Sequence, residues 1–218
     1  MMLAGTAAKT GGLCMPCHKG TREQIEEGKR WAAERREMER INAGATERIV
    51  SLPSITLGEF LREEDPIGVL WPILVRRVFR SDSHTEHLHE LSHPATVIYL
   101  AQVLDGEVIN GGMSQFFSNS SGQYAHEALE ALVEIGASVI AGFLERAIRT
   151  FPSGCVARDR AERNRYLADH EQANREFWDL LDEEYYRAVG LRGEPPAEDL
   201  AELLVKYMHL HESVGLSA

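Results

Sequence analysis

The sequence runs to 218 residues, 44% hydrophobic and 26% charged, enough for one substantial core or for a domain plus an appendage. Its formal net charge of −11 opposes direct binding of nucleic acid and favours basic partners. No apolar run reaches the roughly 20 residues that span a bilayer, and the opening "MMLAGTAAKTGGLC" lacks a signal-length apolar stretch behind a charged start, so a cytoplasmic chain with no membrane partner is expected.

The charge is uneven along the chain. Residues 1–50 carry nine Lys/Arg and seven Asp/Glu, net +2, whereas residues 51–218 carry 14 and 27, net −13. Within the first segment, Cys14, Cys17 and His18 spell C-x-x-C-H. Haem attachment by that pattern needs an exported apoprotein, which the N-terminus does not suggest. Zinc is the better metal candidate, because thiolates and an imidazole are its ligands, but a tetrahedral site would have to recruit Cys155 or a distant histidine. A plain reduced segment without cofactor is the simpler expectation, and three cysteines do not form a disulfide framework.

Thr21 and Gln24 have capping-box spacing and open a proline-free, highly charged helix over about residues 21–41, closed by "NAGA". Residues 1–45 therefore read as an N-terminal extension and residues 46–218 as the acidic domain. Thr56 and Glu59 form a second capping box. Asp65 and Pro66 start a helix through "IGVLWPILVRRVF", which Pro72 is expected to kink or split. Next, "SDSHTEHLHELSHP" holds His84, His87, His89 and His93. Helical spacing would pair His89 with His93, yet the stretch reads better as a polar connector.

A helix starts around Ser92 to Pro94, with Val97, Ile98, Ala101, Leu104 and Val108 at helical spacing. After residues 110–122, Ser120 and Gln123 suggest a third capping box into "YAHEALEALVEIGA", ending at Gly136. "SVIAGFLERAIRTF" follows, stopped by Pro152 and Gly154. The stretch from Asp159 to Val189 is long enough for a long or broken helix. Beyond Pro195 and Pro196 comes a last helix with Leu200, Leu203, Leu204, Tyr207 and Met208 in a stripe. No strand alternation or repeat is evident, so an all-α, multi-helix single domain with an N-terminal helical arm is expected.

No G-x-S-x-G elbow accompanies the serines and no phosphate-binding loop or dinucleotide fingerprint is present; His89, Glu90 and His93 have H-E-x-x-H spacing, but in a stretch that reads as a polar connector rather than as one helix face. The chain is expected not to be an enzyme and to have no catalytic residue. Carboxylate placement is more informative. Glu127, Glu130 and Glu134 fall at i, i+3, i+7 on one helix face, opposite Ala128, Leu129 and Leu132. Glu176, Asp179 and Glu183 repeat the spacing opposite Phe177 and Leu181. Like charges with Cβ atoms about 5–6 Å apart oppose helix formation. They also suit a surface that stands in for phosphates, since DNA carries a charge per roughly 1.7 Å of axis. Solvent-facing helix sides are often acidic for solubility alone, so both readings stay open.

Residues 110–122, "NGGMSQFFSNSSG", set two aromatic rings among glycines and serines. Exposed rings in a linker would forgo packing, so the segment is read as a buried helix-to-helix joint. Through Asn110, Gly111, Gly112, Ser114, Gln115, Phe116, Phe117, Asn119, Ser120 and Gly122 it resembles the signature of a bacterial family of acidic helical proteins named for a DNA-mimic protein, with Met113 where that pattern has Phe. The resemblance is looser over residues 65–210 and does not take in the first 45. It implies a helical fold, self-association as a homodimer, and an acidic surface that occupies the nucleic-acid-binding face of a DNA-binding protein such as a transcription regulator. The alternative is a helical scaffold or immunity- or stress-type partner protein. The motif contains no acid, so it serves the fold rather than the mimicry.

Overall fold

The computed structural model describes residues 55–78 and 88–218, without the side chains of residues 171 and 172. The chain divides between Ser51 and Leu52, and everything below concerns the second unit. The charged arm, Cys14, Cys17 and His18, and His84 and His87 lie outside the described residues.

Eight α-helices and no strand make up the described part: α1 Leu57–Phe60, α2 Pro66–Val78, α3 His93–Ser118, α4 Ala125–Glu134, α5 Ser138–Ile148, α6 Arg160–Ala173, α7 Arg175–Ala188 and α8 Leu200–Leu210. Short 3₁₀ turns at Leu88–Glu90, Ser120–Tyr124 and Pro152–Gly154 join some of them. The all-α fold is therefore as the helical periodicity implied. Helix α3 is the spine, packed by α2, α4, α6 and α7. Its expected apolar positions Val97, Ile98, Ala101, Leu104 and Val108 are all buried, where hydrophobic transfer supplies most of the folding drive.

Local signals explain most boundaries. The Glu59 carboxylate reaches back to the Thr56 N–H at 3.2 Å, the reciprocal arm of the capping box. Asp65 accepts the Gly68 N–H at 2.9 Å ahead of α2, Asp159 that of Glu162 at 2.8 Å ahead of α6, and Asp199 that of Glu202 at 3.0 Å ahead of α8. Each carboxylate satisfies an otherwise unpaired amide and meets the positive end of the helix dipole. At the end of α4 the Ala137 N–H returns to the Leu132 carbonyl at 2.8 Å while Gly136 takes φ +80, the left-handed exit that glycine permits.

Two expectations need correction. Helix α2 is not split at Pro72 but continues past it to Val78. Leu70, Ile73 and Leu74 around it are buried, so packing holds a turn that local chemistry disfavours. Nor does Ser120 begin a capped α-helix: residues Ser120–Tyr124 wind as a 3₁₀ turn and α4 starts at Ala125 without a side-chain cap. The stretch after Asp159 is a broken helix, divided at Asn174, whose side-chain amide donates to the His170 carbonyl at 3.0 Å.

The segment after α8 laces the two ends of this unit together. Leu57 donates to the Val214 carbonyl at 3.0 Å, Leu216 to Ile55 at 3.2 Å, Ser92 to Leu216 at 3.0 Å and Ala218 to Glu90 at 2.8 Å. These bonds use extended backbone yet stop at isolated bridges.

Replacing Pro72 by Ala restores a backbone donor inside α2, and a gain of about 1–3 kcal/mol is expected. Urea unfolding of the two proteins measures it; a loss of stability would show that the ring's packing outweighs its cost.

Candidate functional site: the kinked helix and the acidic faces

Residues 110–122 form a break and restart within α3. Gly111 has φ −165, ψ 24 and Gly112 has φ 82, ψ 174, both outside the helical region, after which the helix resumes to Ser118. A helix broken in mid-course exposes carbonyls on one side and amides on the other. Neighbouring side chains meet them. The Gln115 amide donates to the Glu107 carbonyl at 3.3 Å, and the Tyr186 hydroxyl to the Val108 carbonyl at 3.1 Å. On the restarting side, the Met113 N–H donates to the Asp182 carboxylate at 2.7 Å.

The glycines follow from this geometry. Gly112 needs its positive φ, and a Cβ on it would fall 2.1 Å from Oδ2 of Asp182. Further on, a Cβ on Gly122 would meet the Phe117 carbonyl oxygen at 2.6 Å, so only glycine lets the 3₁₀ turn press onto the preceding backbone. The Ser121 hydroxyl donates to the Glu107 carboxylate at 2.6 Å. Burial pushes the Glu107 carboxyl above its ordinary range, against the hydrogen bonds of Ser121 and Asn119 and the charge of Arg160.

Phe116 and Phe117 are fully buried, as expected of a joint. Phe117 meets Phe151 at 4.9 Å and Trp178 at 6.4 Å between ring centroids, tying α3 to α7 and to the turn after α5. Asn110 and Gly111 are exposed, whereas Ser114, Gln115, Asn119 and Ser120 are half-buried.

The end of α3 rests on an arginine that its sequence context did not reveal. Arg163, on α6, is 1% exposed. Its guanidinium donates to the carbonyls of Phe117 at 2.9 Å, Asn119 at 2.8 Å, Ala157 at 2.9 Å and Arg158 at 2.7 Å, while Arg160 donates to Ser118 at 2.8 Å. Burial and the nearby Arg160 lower the Arg163 pKa, partly opposed by Asp159. A cation at the negative end of a helix is electrostatically favoured, and the planar fork can serve several carbonyls.

The two carboxylate ladders occupy α4 and α7 as spaced, with Ala128, Leu132 and Leu181 buried opposite them. Leu129 and Phe177 are half-buried instead, and Trp178 takes the inward place beside Phe177. Three of the six acids have internal partners. Glu127 pairs with Arg158. Glu134 accepts from the Tyr207 hydroxyl and pairs with His93 at 2.9 Å. Glu183 pairs with Arg192 at 2.7 Å and Arg187 at 3.1 Å, and the Arg192 hydrogen bond and charge hold its carboxyl below the usual range. Glu130, Glu176 and Asp179 are exposed and meet no ion-pair partner among the described residues. The helices carrying the ladders both pack against α3 and α5.

His89 sits in the turn Leu88–Glu90 and His93 opens α3, where it faces Glu134. Among the described residues no three His, Cys, Asp or Glu side chains converge as a metal site, and Cys155 is exposed. No described helix is long and apolar enough to cross a membrane.

A family model, described as DMP19-like protein, matches residues 89–211, from the turn before α3 to the end of α8. The chain belongs to the DMP19-like protein family. This is a family of DNA-mimic proteins, and the match spans the kinked helix, both ladders and the Arg163 cage. No curated protein and no solved structure matches the chain.

Within this DMP19-like fold, Asp105 is a half-buried carboxylate on α3. Its Oδ1 accepts the Tyr185 hydroxyl at 2.6 Å, and burial raises its pKa more than that bond lowers it. With the folded pKa above the unfolded one, the folded state binds the proton more readily, so this group's contribution to stability falls as pH rises from the unfolded to the folded pKa. Asp105→Asn keeps an acceptor for Tyr185 and removes the charge. It should gain stability relative to the parent at neutral pH, with the gain shrinking toward acid; denaturant unfolding across pH reads this directly, and a gain independent of pH would refute the assignment. Arg163→Met leaves four carbonyls without their donor and is expected to cost about 3–5 kcal/mol, measured in the same way.

Proposed function

We propose that this chain is an acidic protein-binding domain that acts as a DNA mimic, occupying the nucleic-acid-binding face of a DNA-binding protein such as a transcription regulator. Membership of the DMP19-like family is the observation that carries this reading. The charge agrees with it: residues 51–218 hold 14 Lys/Arg against 27 Asp/Glu. After internal pairing, Glu130, Glu176 and Asp179 remain exposed on α4 and α7, with Glu127, Glu134 and Glu183 adding charge in partly neutralised form.

The role proposed is binding, without catalysis, cofactor or direct contact with nucleic acid, in the cytoplasm, and the binding form is a homodimer. Opposite charges across such an interface speed association and weaken as salt screens them.

A second reading draws support from Val133 and Leu210, which are 65% and 80% exposed: a helical scaffold whose contacts are apolar and whose acidity maintains solubility. Affinity capture with the full chain at low and high salt, followed by mass spectrometry, separates the two. Mimicry predicts DNA-binding proteins recovered at low salt and released at high salt. Salt-resistant partners without DNA-binding proteins would establish the scaffold instead. In the same assay Phe116→Ala should lower stability by about 3–5 kcal/mol while leaving the recovered partners unchanged at a temperature where it stays folded. Loss of partners by that folded variant would place the motif in the interface.

A further inference from the structure

Next to the kink, α3, the end of α7 and the start of α8 bound an open groove of about 220 Å³. Ile109, Val189 and Leu200 give it an apolar wall, and Asp105, Glu198 and Asp199 are the charged groups along it. Ile109 is 40% exposed, so the wall is open to an incoming side chain.

The three carboxylates are held by neutral donors. Asp105 accepts from Tyr185 at 2.6 Å. Glu198, in the loop before α8, accepts the Val139 and Ile140 amides in the first turn of α5 at 3.1 and 3.0 Å. Asp199 accepts from Glu202 at 3.0 Å. These bonds fix the positions of the acids, and no Lys or Arg lines the groove. Glu183 differs, being neutralised by two arginines. The Asp105 and Glu198 charges both act on the Tyr185 hydroxyl, which places them on one local field.

An apolar occupant would strip water from three carboxylates without adding a counter-charge to the neutral donors that hold them, and an anionic one would be repelled. A long cationic side chain suits both walls, because its methylene stem covers apolar surface while its head meets carboxylates. We propose that this groove receives one arginine or lysine side chain of a protein partner, its stem along Ile109, Val189 and Leu200 and its head at Asp105, Glu198 and Asp199. The inference rests on the basic-partner reading above and adds the anchor point, which neither carboxylate ladder contains. A single well-seated arginine is the kind of contact that dominates an interface energetically.

The test uses the full chain with labelled methyl groups, titrated by NMR with N-acetyl-arginine amide and with its uncharged citrulline isostere. The arginine probe should shift the Ile109, Val189 and Leu200 methyls, with citrulline about tenfold weaker, equivalent to about 1.4 kcal/mol. Asp105→Asn, which still accepts from Tyr185, should weaken the response, and Ile109→Lys, which tethers a cation at an exposed wall position, should abolish it. Equal shifts from citrulline, no shift, or shifts confined to Val133 and Leu180 on the ladder helices would overturn the proposal. Capture of basic proteins distinguishes this failure from failure of the underlying reading. If Ile109→Lys still recovers them at low salt, the groove is not the anchor and mimicry stands; if the parent recovers none while arginine still binds, the groove stands and mimicry falls.

Discussion

A helix that stops inside a core leaves backbone carbonyls where water cannot reach them, and the architecture follows from how that requirement is met. Arg163 meets it at the end of α3 by giving four N–H bonds to four carbonyls. Because two of those carbonyls belong to the chain just before α6 and two to the end of α3, one guanidinium joins segments some forty residues apart in sequence. Position as well as charge is required, since an uncompensated carbonyl in this setting costs about as much as a whole hydrogen bond contributes. Phe117 and Trp178 complete the same junction with apolar surface. The kink a few residues earlier obeys the same constraint through Tyr186, Gln115 and Asp182.

The acidity of the domain therefore serves two purposes at once. Asp65, Asp159, Asp182, Glu198 and Asp199 sit where backbone amides need acceptors, and Glu127, Glu134 and Glu183 sit where local cations or donors face them. Glu130, Glu176 and Asp179 are left to solvent. A formal charge of −11 thus overstates the number of carboxylates free to meet a partner, while fixing many of the rest in rigid positions. A surface with immobilised charges loses less entropy on binding than one with mobile side chains.

Helical periodicity made the core of α3 legible from the sequence alone, rings set among glycines and serines did so for the burial of Phe116 and Phe117, and local cap signals for the helix ends at Asp65 and Gly136, since each depends on residues within one or two turns. Pro72 misled because burial of its neighbours, a tertiary effect, overrides its local preference. Ser120 misled because Ser121 is committed to Glu107 and Gly122 to the backbone behind it, so the turn tightens before α4 begins. Arg163 was invisible for a related reason: in "DRAERNRYLADH" it is one arginine among several, and only folding shows which of them turns inward. The ladders were correctly spaced, but their pairing with Arg158, Arg187, Arg192 and His93 needed the neighbouring elements. The DMP19-like signature includes positions where the backbone admits only glycine, at Gly112 and Gly122.

The lacing after α8 carries a consequence for how the domain is made. Leu57 and Ile55, at its beginning, receive their backbone partners from Val214 and Leu216, more than 150 residues later. During synthesis α1, packed on its neighbour α2, must wait for its α8-side partners until nearly the whole helical body has emerged. Helices α3 to α7, whose contacts are more local, can assemble first, and the two chain segments then close over them. Such closure is a late, entropically expensive step, and it makes occupancy of that seam a report on whether the entire domain, rather than its spine alone, has reached the folded state.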